Sequence, residues 1–70
     1  MRLSARNQLN GTITSIELGT VMAMVTLELD GGQRVSAAVT RASVEELGLR
    51  VGMPATAVIK STEVMIGVAE

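Results

Sequence analysis

Hydrophobic and polar residues alternate along much of the chain with the two-residue period of β-strands. The clearest stretch is Val21–Asp30, where every odd position is apolar and the even positions change from methionine to Thr, Glu and Asp. Successive side chains of a strand point to opposite faces, so this pattern predicts one buried face. We interpret the Met22 and Met24 end of the other face as covered too, by another subunit or by core packing.

Turn signals divide the alternating stretches into five predicted strands. Asp30-Gly31-Gly32 is a hairpin turn, since glycine readily adopts positive φ, and Gly19-Thr20 is an earlier turn. A slip in the alternation between Ile13 and Ile16 indicates a β-bulge. The predicted strands are Gly11–Leu18, Val21–Asp30, Gln33–Val39, Ala55–Lys60 and Glu63–Val68.

One short helix is predicted between the third and fourth strands. Residues Ser43–Leu47 form a capping-box pattern with Ser43 at the N-cap, while Thr40 is an alternative cap one turn earlier. Gly48 is a natural C-terminal end for this helix. Three strands, a helix and two strands are the element order of the five-stranded Greek-key OB barrel. The sequence therefore predicts a single all-β domain over residues 1–70.

The composition limits the chemistry that this chain can support. It has no Cys, His or aromatic residue, which excludes disulfides, thiolate or imidazole metal sites and Cys or His catalysts. It also lacks a glycine-rich phosphate loop, and we expect no enzymatic activity. The formal net charge of -1 disfavours general electrostatic binding to nucleic acid or membrane. Because 47% of so short a chain is hydrophobic, we expect oligomerisation.

The sequence shows no sorting signal. Residues Met1–Asn7 are polar and lack the apolar stretch of a signal peptide. No apolar run approaches the roughly 20 residues that span a bilayer. We therefore expect a cytoplasmic protein that does not bind membranes.

Two short runs combine a cation with small polar side chains. Ser4–Asn7 precedes the first strand and Lys60–Thr62 ends the fourth, and neither run contains an acidic residue. Such groups supply the hydrogen-bond donors and the positive charge that a small oxyanion needs. The helix start at Thr40–Ser43 could add further donors. The alternative interpretations are an ordinary solvated N-terminal arm, an ordinary turn and an ordinary helix cap.

Three segments resemble a known family. Ser4–Leu9 reads SARNQL, Ser43–Gly48 reads SVEELG, and Ala57–Ile66 reads AVIKSTEVMI. They resemble the molbindins, the stand-alone Mop-type proteins of the TOBE domain class, and the similarity extends from Met1 to about Val68. The resemblance implies an OB-like barrel that binds molybdate or tungstate. It also implies a hexamer, arranged as a trimer of dimers, with the oxyanions at subunit interfaces and a role in intracellular molybdenum storage or homeostasis.

The resemblance also implies which residues hold the oxyanion. Charge would come from arginine and lysine, and hydrogen bonds from hydroxyl and backbone N–H groups, with no catalytic residue, no organic cofactor and no direct metal coordination by side chains. The expected oxyanion-binding residues are Ser4, Ala5, Arg6, Asn7, Thr40, Ser43, Lys60 and Ser61. Two alternatives stay open. One is an oxyanion-sensing regulatory module that acts through a partner protein. The other is a nucleic-acid-binding OB module, which the missing aromatics disfavour.

Overall fold

The strands of this chain form one antiparallel sheet, which a computed structural model describes for all residues 1–70. The sheet has the order β3-β2-β1-β4 and curls into a half-barrel, with one short helix beside it. The elements are β1 (Asn7–Leu18), β2 (Met22–Leu29), β3 (Arg34–Thr40), α1 (Arg41–Leu47), β4 (Pro54–Ile59) and a 3₁₀ turn (Ser61–Glu63). Four of the five predicted strands and the predicted helix are confirmed.

The predicted fifth strand, Glu63–Val68, is not a strand in this structure. Glu63 ends the 3₁₀ turn, and the backbone N–H of Val64 donates to the carbonyl oxygen of Ser61 at 3.3 Å. Beyond Val64, no backbone hydrogen bond joins the chain to the sheet. Alternation shows that a segment suits a sheet, but a strand also needs an edge to pair with. The predicted count of five strands is therefore wrong, because the chain forms a four-stranded half-barrel, whereas the predicted mostly-β fold with one short helix is confirmed.

Strand β1 connects the two sides of the sheet, because its two halves pair with different strands. Its first half, from Asn7 to Thr12, pairs with β4, and its second half pairs with β2. The two ladders overlap at Gly11 and Thr12. At Gly11 a Cβ atom would lie 2.5 Å from the carbonyl oxygen of Glu28, so the close approach requires glycine. The predicted bulge is confirmed between Ile13 and Ser15. The observed strand begins four residues before the predicted start at Gly11.

The helix begins at Thr40, and the prediction of Ser43 as its N-cap is wrong. The backbone N–H of Ser43 donates to Thr40 Oγ1 at 3.0 Å, so Ser43 lies inside α1 and Thr40 caps it. Both positions carry a hydroxyl, and the extended backbone at Thr40, with φ of -72° and ψ of 149°, decides between them. Gly48 ends the helix with φ of 63°, as predicted.

The core lies on one face of the curled sheet, against α1. It consists of five buried side chains, which are Ile13, Ala23, Val25, Leu27 and Val44. The predicted buried face of β2 is confirmed from Ala23 to Leu27, whereas Val21 precedes the strand and is exposed. Met22 and Met24, which we interpreted as covered, are exposed in the single chain. None of the helices is long and apolar enough to cross a membrane.

Candidate functional site

The pairing of β1 with β4 brings the two cationic runs of the sequence to the same end of the sheet. Asn7 pairs with Ile59 at the last position of the ladder. Continued by one residue past the strand ends, the same register sets Arg6 opposite Lys60. Six residues line a shallow cavity of about 340 Å³ at this point, here called the cation cluster: Ser4, Ala5, Arg6, Lys60, Ser61 and Thr62.

Local hydrogen bonds hold both sides of the cation cluster in place. The side-chain amide of Asn7 donates from Nδ2 to the carbonyl oxygen of Ile59 at 3.2 Å and joins the two strand ends. Gln8 Nε2 donates to the carbonyl oxygen of Ala5 at 2.8 Å, which fixes the segment before β1. On the other side, the backbone N–H of Glu63 donates to the carbonyl oxygen of Lys60 at 2.9 Å and closes the 3₁₀ turn. The cluster is thus supported by backbone geometry rather than by its own charged side chains.

Neither cation of the cluster is neutralised by the protein. The single ion pair of the structure joins Arg41 Nε to Glu45 Oε1 at 3.3 Å, on α1. Arg6 and Lys60 form no ion pair, and no acidic residue lines their cavity. Like charges that face each other across neighbouring strands destabilise the pairing. An anion between the two groups would offset that repulsion and accept charge-assisted hydrogen bonds from both.

The structure brings five of the eight predicted site residues into the cation cluster, places one beside it and keeps two apart from it. Ser4, Ala5, Arg6, Lys60 and Ser61 line the cation cluster. Asn7 lies next to it, with its side-chain amide occupied by Ile59. Thr62 also lines the cavity, although the predicted set omits it. Its position directly after Lys60 and Ser61 in the same polar run could have identified it.

Thr40 and Ser43 do not line the cation cluster of their own chain. Their hydroxyl oxygens lie 2.7 Å apart and share a hydrogen bond, and Thr40 Oγ1 also accepts the N–H of Ser43. The helix-cap interpretation of these two residues therefore accounts for their contacts within one chain.

A second cavity lies inside the curl of the sheet and has the opposite character. We call it the apolar groove; it has a volume of about 640 Å³, and 12 of its 15 lining residues are hydrophobic. One wall is β3, through Val35, Ala37 and Val39, and the facing wall is β4, through Ala55, Ala57 and Ile59. It offers no charged group to an anion, so the cation cluster is the candidate functional site.

Sequence and structure comparisons point in the same direction. The sequence profile described as the TOBE domain matches residues 3–66. A probable molybdenum-pterin-binding protein of Haemophilus influenzae is 52% identical, over 97% of this chain and 99% of that protein. The structure of apo MopII from Clostridium pasteurianum matches this chain with a TM-score of 0.91 at 46% identity. The match covers 96% of this chain and 100% of the MopII chain.

A further similar structure was solved with molybdate bound. It is ModG, described as a cytoplasmic molybdate-binding protein and as crystallised with molybdate bound. Its TM-score to this chain is 0.93 at 52% identity, over 99% of this chain and 49% of ModG. ModG is thus about twice as long as this chain.

Proposed function

The chain belongs to the TOBE domain family, as its resemblance to the Mop-type proteins predicted, and on that premise we propose that it binds molybdate or tungstate without catalysing a reaction. The observation that carries the proposal is the cation cluster, where Arg6 and Lys60 converge without an acidic partner. Relatives whose names and structures refer to molybdenum or molybdate binding support the same ligand.

The donors of the cluster suit a tetrahedral dianion. Two cations balance two negative charges, with the arginine as a planar fork and the lysine as a point charge. The hydroxyls of Ser4 and Ser61 add short donors from the two sides of the cavity. We assign backbone N–H donation to Ala5, which lines the cavity, and to Asn7 beside it. No aromatic side chain exists to stack on a pterin ring, so these residues fit the inorganic anion better than an organic group.

We infer that the anion lies at a subunit interface. Ser4, Arg6, Lys60 and Ser61 are all exposed in one chain, where water would compete for every hydrogen bond to the anion. A second subunit over the cluster would exclude that water, and Thr40 and Ser43 are the donors that we assign to it. A hexamer built as a trimer of dimers, with a storage or homeostasis role in the cytoplasm, is the assembly and role that we propose.

The exposed methionine face supports association through a further surface. Met22 and Met24 lie on the outer face of β2, next to Leu18, and all three are exposed. Met22→Glu would place a charge in that surface, and burying an unpaired charge is costly. We expect this variant to elute from a sizing column at a lower mass than the parent. An unchanged mass would remove this face from the proposed assembly.

Isothermal titration of ligand-free protein with molybdate, tungstate and sulfate tests the proposed function. Protein concentration should come from amino-acid analysis, since the chain has no Trp or Tyr. We expect molybdate or tungstate to bind tightly and sulfate weakly, with a stoichiometry per chain that reports how sites are shared.

Paired arginine variants connect the titration to the cation cluster. Arg6→Ala should weaken oxyanion binding, whereas Arg34→Ala, which removes an exposed arginine of β3 outside the cluster, should not. The absence of heat with molybdate and tungstate would contradict the function. Equal affinities in the two variants would contradict the site.

A further inference from the structure

Lys60 is the only lysine of the chain, because the other five cationic side chains are arginines. A guanidinium stays protonated in proteins and is therefore a poor nucleophile, whereas a lysine amine is the usual target of acylation. Acylation converts an ammonium group into a neutral amide and so removes its charge. Lys60 is thus the one cationic side chain of this protein whose charge an acyl donor can remove.

That single lysine lies in the cation cluster rather than elsewhere on the surface. The residue is exposed, and its side chain forms no ion pair. Its backbone is held in place, since the carbonyl oxygen of Lys60 accepts the N–H of Glu63 at 2.9 Å. An unpaired amine therefore extends from a fixed backbone into a cavity that Arg6 and the hydroxyls of Ser4 and Ser61 also line.

The same cavity suits the phosphoryl group of an acyl donor. A phosphoryl group is a tetrahedral anion whose oxygens accept charge-assisted hydrogen bonds, and Arg6 and the hydroxyls can donate them. In an acyl phosphate, one bridging oxygen joins the phosphorus atom to the carbonyl carbon. Phosphoryl binding in the cluster would therefore hold the carbonyl carbon close to Lys60, and holding two reactants together accelerates their reaction.

We propose that Lys60 is an acylation site for acyl phosphates, and that acylation abolishes oxyanion binding at the cation cluster. The neutral amine attacks the carbonyl carbon, and the bond from Nζ to that carbon forms. The bond between the carbonyl carbon and the bridging oxygen breaks, inorganic phosphate leaves with the electron pair, and the amine proton passes to water. Arg6 then carries the only charge of the cluster, which no longer balances a dianion. The loss of binding rests on the proposed function, whereas the acylation itself does not.

Acetyl phosphate tests the site in an Arg34→Lys background, which adds a second, exposed lysine on β3 outside the cluster. N-hydroxysuccinimide acetate transfers the same acetyl group without a phosphoryl group, so it reports the intrinsic reactivity of each amine. Peptide mass spectrometry of ligand-free protein gives the ratio of acetylation at position 60 to that at position 34. We expect this ratio to be roughly tenfold higher with acetyl phosphate than with the ester. Equal ratios for the two reagents overturn the proposal.

Removal of Arg6 shows whether the cluster directs the reagent. In the same Arg34→Lys background, Arg6→Ala should lower the acetyl phosphate ratio to that of the ester. Far-UV circular dichroism verifies that the sheet is kept, as expected for an exposed side chain. A ratio that stays high without Arg6 would mean that phosphoryl binding in the cluster does not guide the acetyl group, and it would overturn the proposal.

Titration with molybdate before and after acetyl phosphate treatment measures the effect on binding. We expect the dissociation constant of the parent to rise roughly tenfold or more, as for the loss of one charge-assisted contact. Lys60→Arg keeps a charge that cannot be acetylated, so its dissociation constant should be the same before and after treatment. An unchanged constant in acetylated parent protein overturns the loss of binding. If untreated parent binds no molybdate, the proposed function fails with it, and the reagent ratio still decides whether Lys60 is the acylation site.

Discussion

The cation cluster and the apolar groove are both open in one chain, but they are incomplete for opposite reasons. The cluster has charge and donors without a counter-charge, since Arg6 and Lys60 have no acidic partner. The groove has apolar walls and no polar group to offer beyond Ser36 and Thr56. A small anion would supply the counter-charge that the cluster lacks, whereas the groove lacks apolar side chains to cover its walls. The comparison teaches that a short chain can present a charged surface and an apolar surface side by side, each open for a different physical reason.

The two surfaces should also respond to different conditions. Burial of apolar area contributes roughly 25 cal/mol per Å² and depends little on moderate salt concentration. Attraction between exposed charges is screened within about 10 Å at 0.1 M salt. Increasing ionic strength should therefore weaken the proposed anion binding at the cation cluster more than it weakens apolar packing at the groove.

Leu27→Ala should produce the largest effect, because it removes a side chain that belongs to both the core and the groove wall. Leu27 is 5% exposed, and we expect the free energy of unfolding to fall by about 2–5 kcal/mol. Urea unfolding at fixed protein concentration measures it. Leu47→Ala is the matched control, since Leu47 also lines the groove but is 68% exposed. Equal losses for the two variants would show that burial in the single chain does not determine stability here.

Lys60→Ala should affect the cation cluster alone. Loss of a charge-assisted contact typically costs about 1.5–3 kcal/mol, so we expect the free energy of molybdate binding to weaken by that amount. The free energy of unfolding without anion should not fall, because the variant also removes the repulsion between Lys60 and Arg6. Titration at two salt concentrations adds a second readout, because the variant should show a smaller salt dependence than the parent. An unfolding loss as large as the binding loss would mean that Lys60 supports the fold rather than the ligand.

Thr40→Ala should produce the smallest change in stability, and it tests whether Thr40 only caps the helix or also binds the anion. Loss of an N-cap hydroxyl costs about 1 kcal/mol of stability, which urea unfolding should detect. If Thr40 also reaches the anion of a second copy, molybdate affinity falls as well, and Thr40→Ser restores both. Reduced stability with unchanged affinity would restrict Thr40 to capping and remove it from the proposed site.

Local patterns predicted the elements of the fold well, because each depends on residues close in the sequence. Alternation identified four strands, Gly48 marked the helix end, and the slip after Ile13 located the bulge. The prediction of the fifth strand failed because alternation does not show whether a segment reaches a sheet edge, and residues 64–68 pair with neither free edge of their own sheet, β3 or β4. The start of β1 was predicted too late because Asn7–Asn10 is held by backbone pairing with β4 rather than by an apolar face.

The sequence predicted the candidate site as two separate polar runs, and their spacing along the chain does not show that they are neighbours in the fold. Ser4–Asn7 and Lys60–Thr62 each showed a cation among small donors, but only the register of β1 with β4 makes them neighbours. The family resemblance supplied that link before the geometry did. Thr40 and Ser43 were predicted to bind the anion, but within one chain they cap the helix through hydrogen bonds to each other. Residue type alone does not distinguish a helix cap from a ligand-binding position.

The split pairing of β1 has a consequence for the order of folding. Its second half contacts a strand nearby in the chain, as in the bond between Thr14 and Thr26, which are 12 residues apart. Its first half contacts β4, and the bond between Asn7 and Ile59 closes a loop of 52 residues. Longer loops cost more entropy to close, and non-local contacts form more slowly. A refolding chain should therefore regain its β1–β2–β3 sheet signal first and its affinity for the anion last.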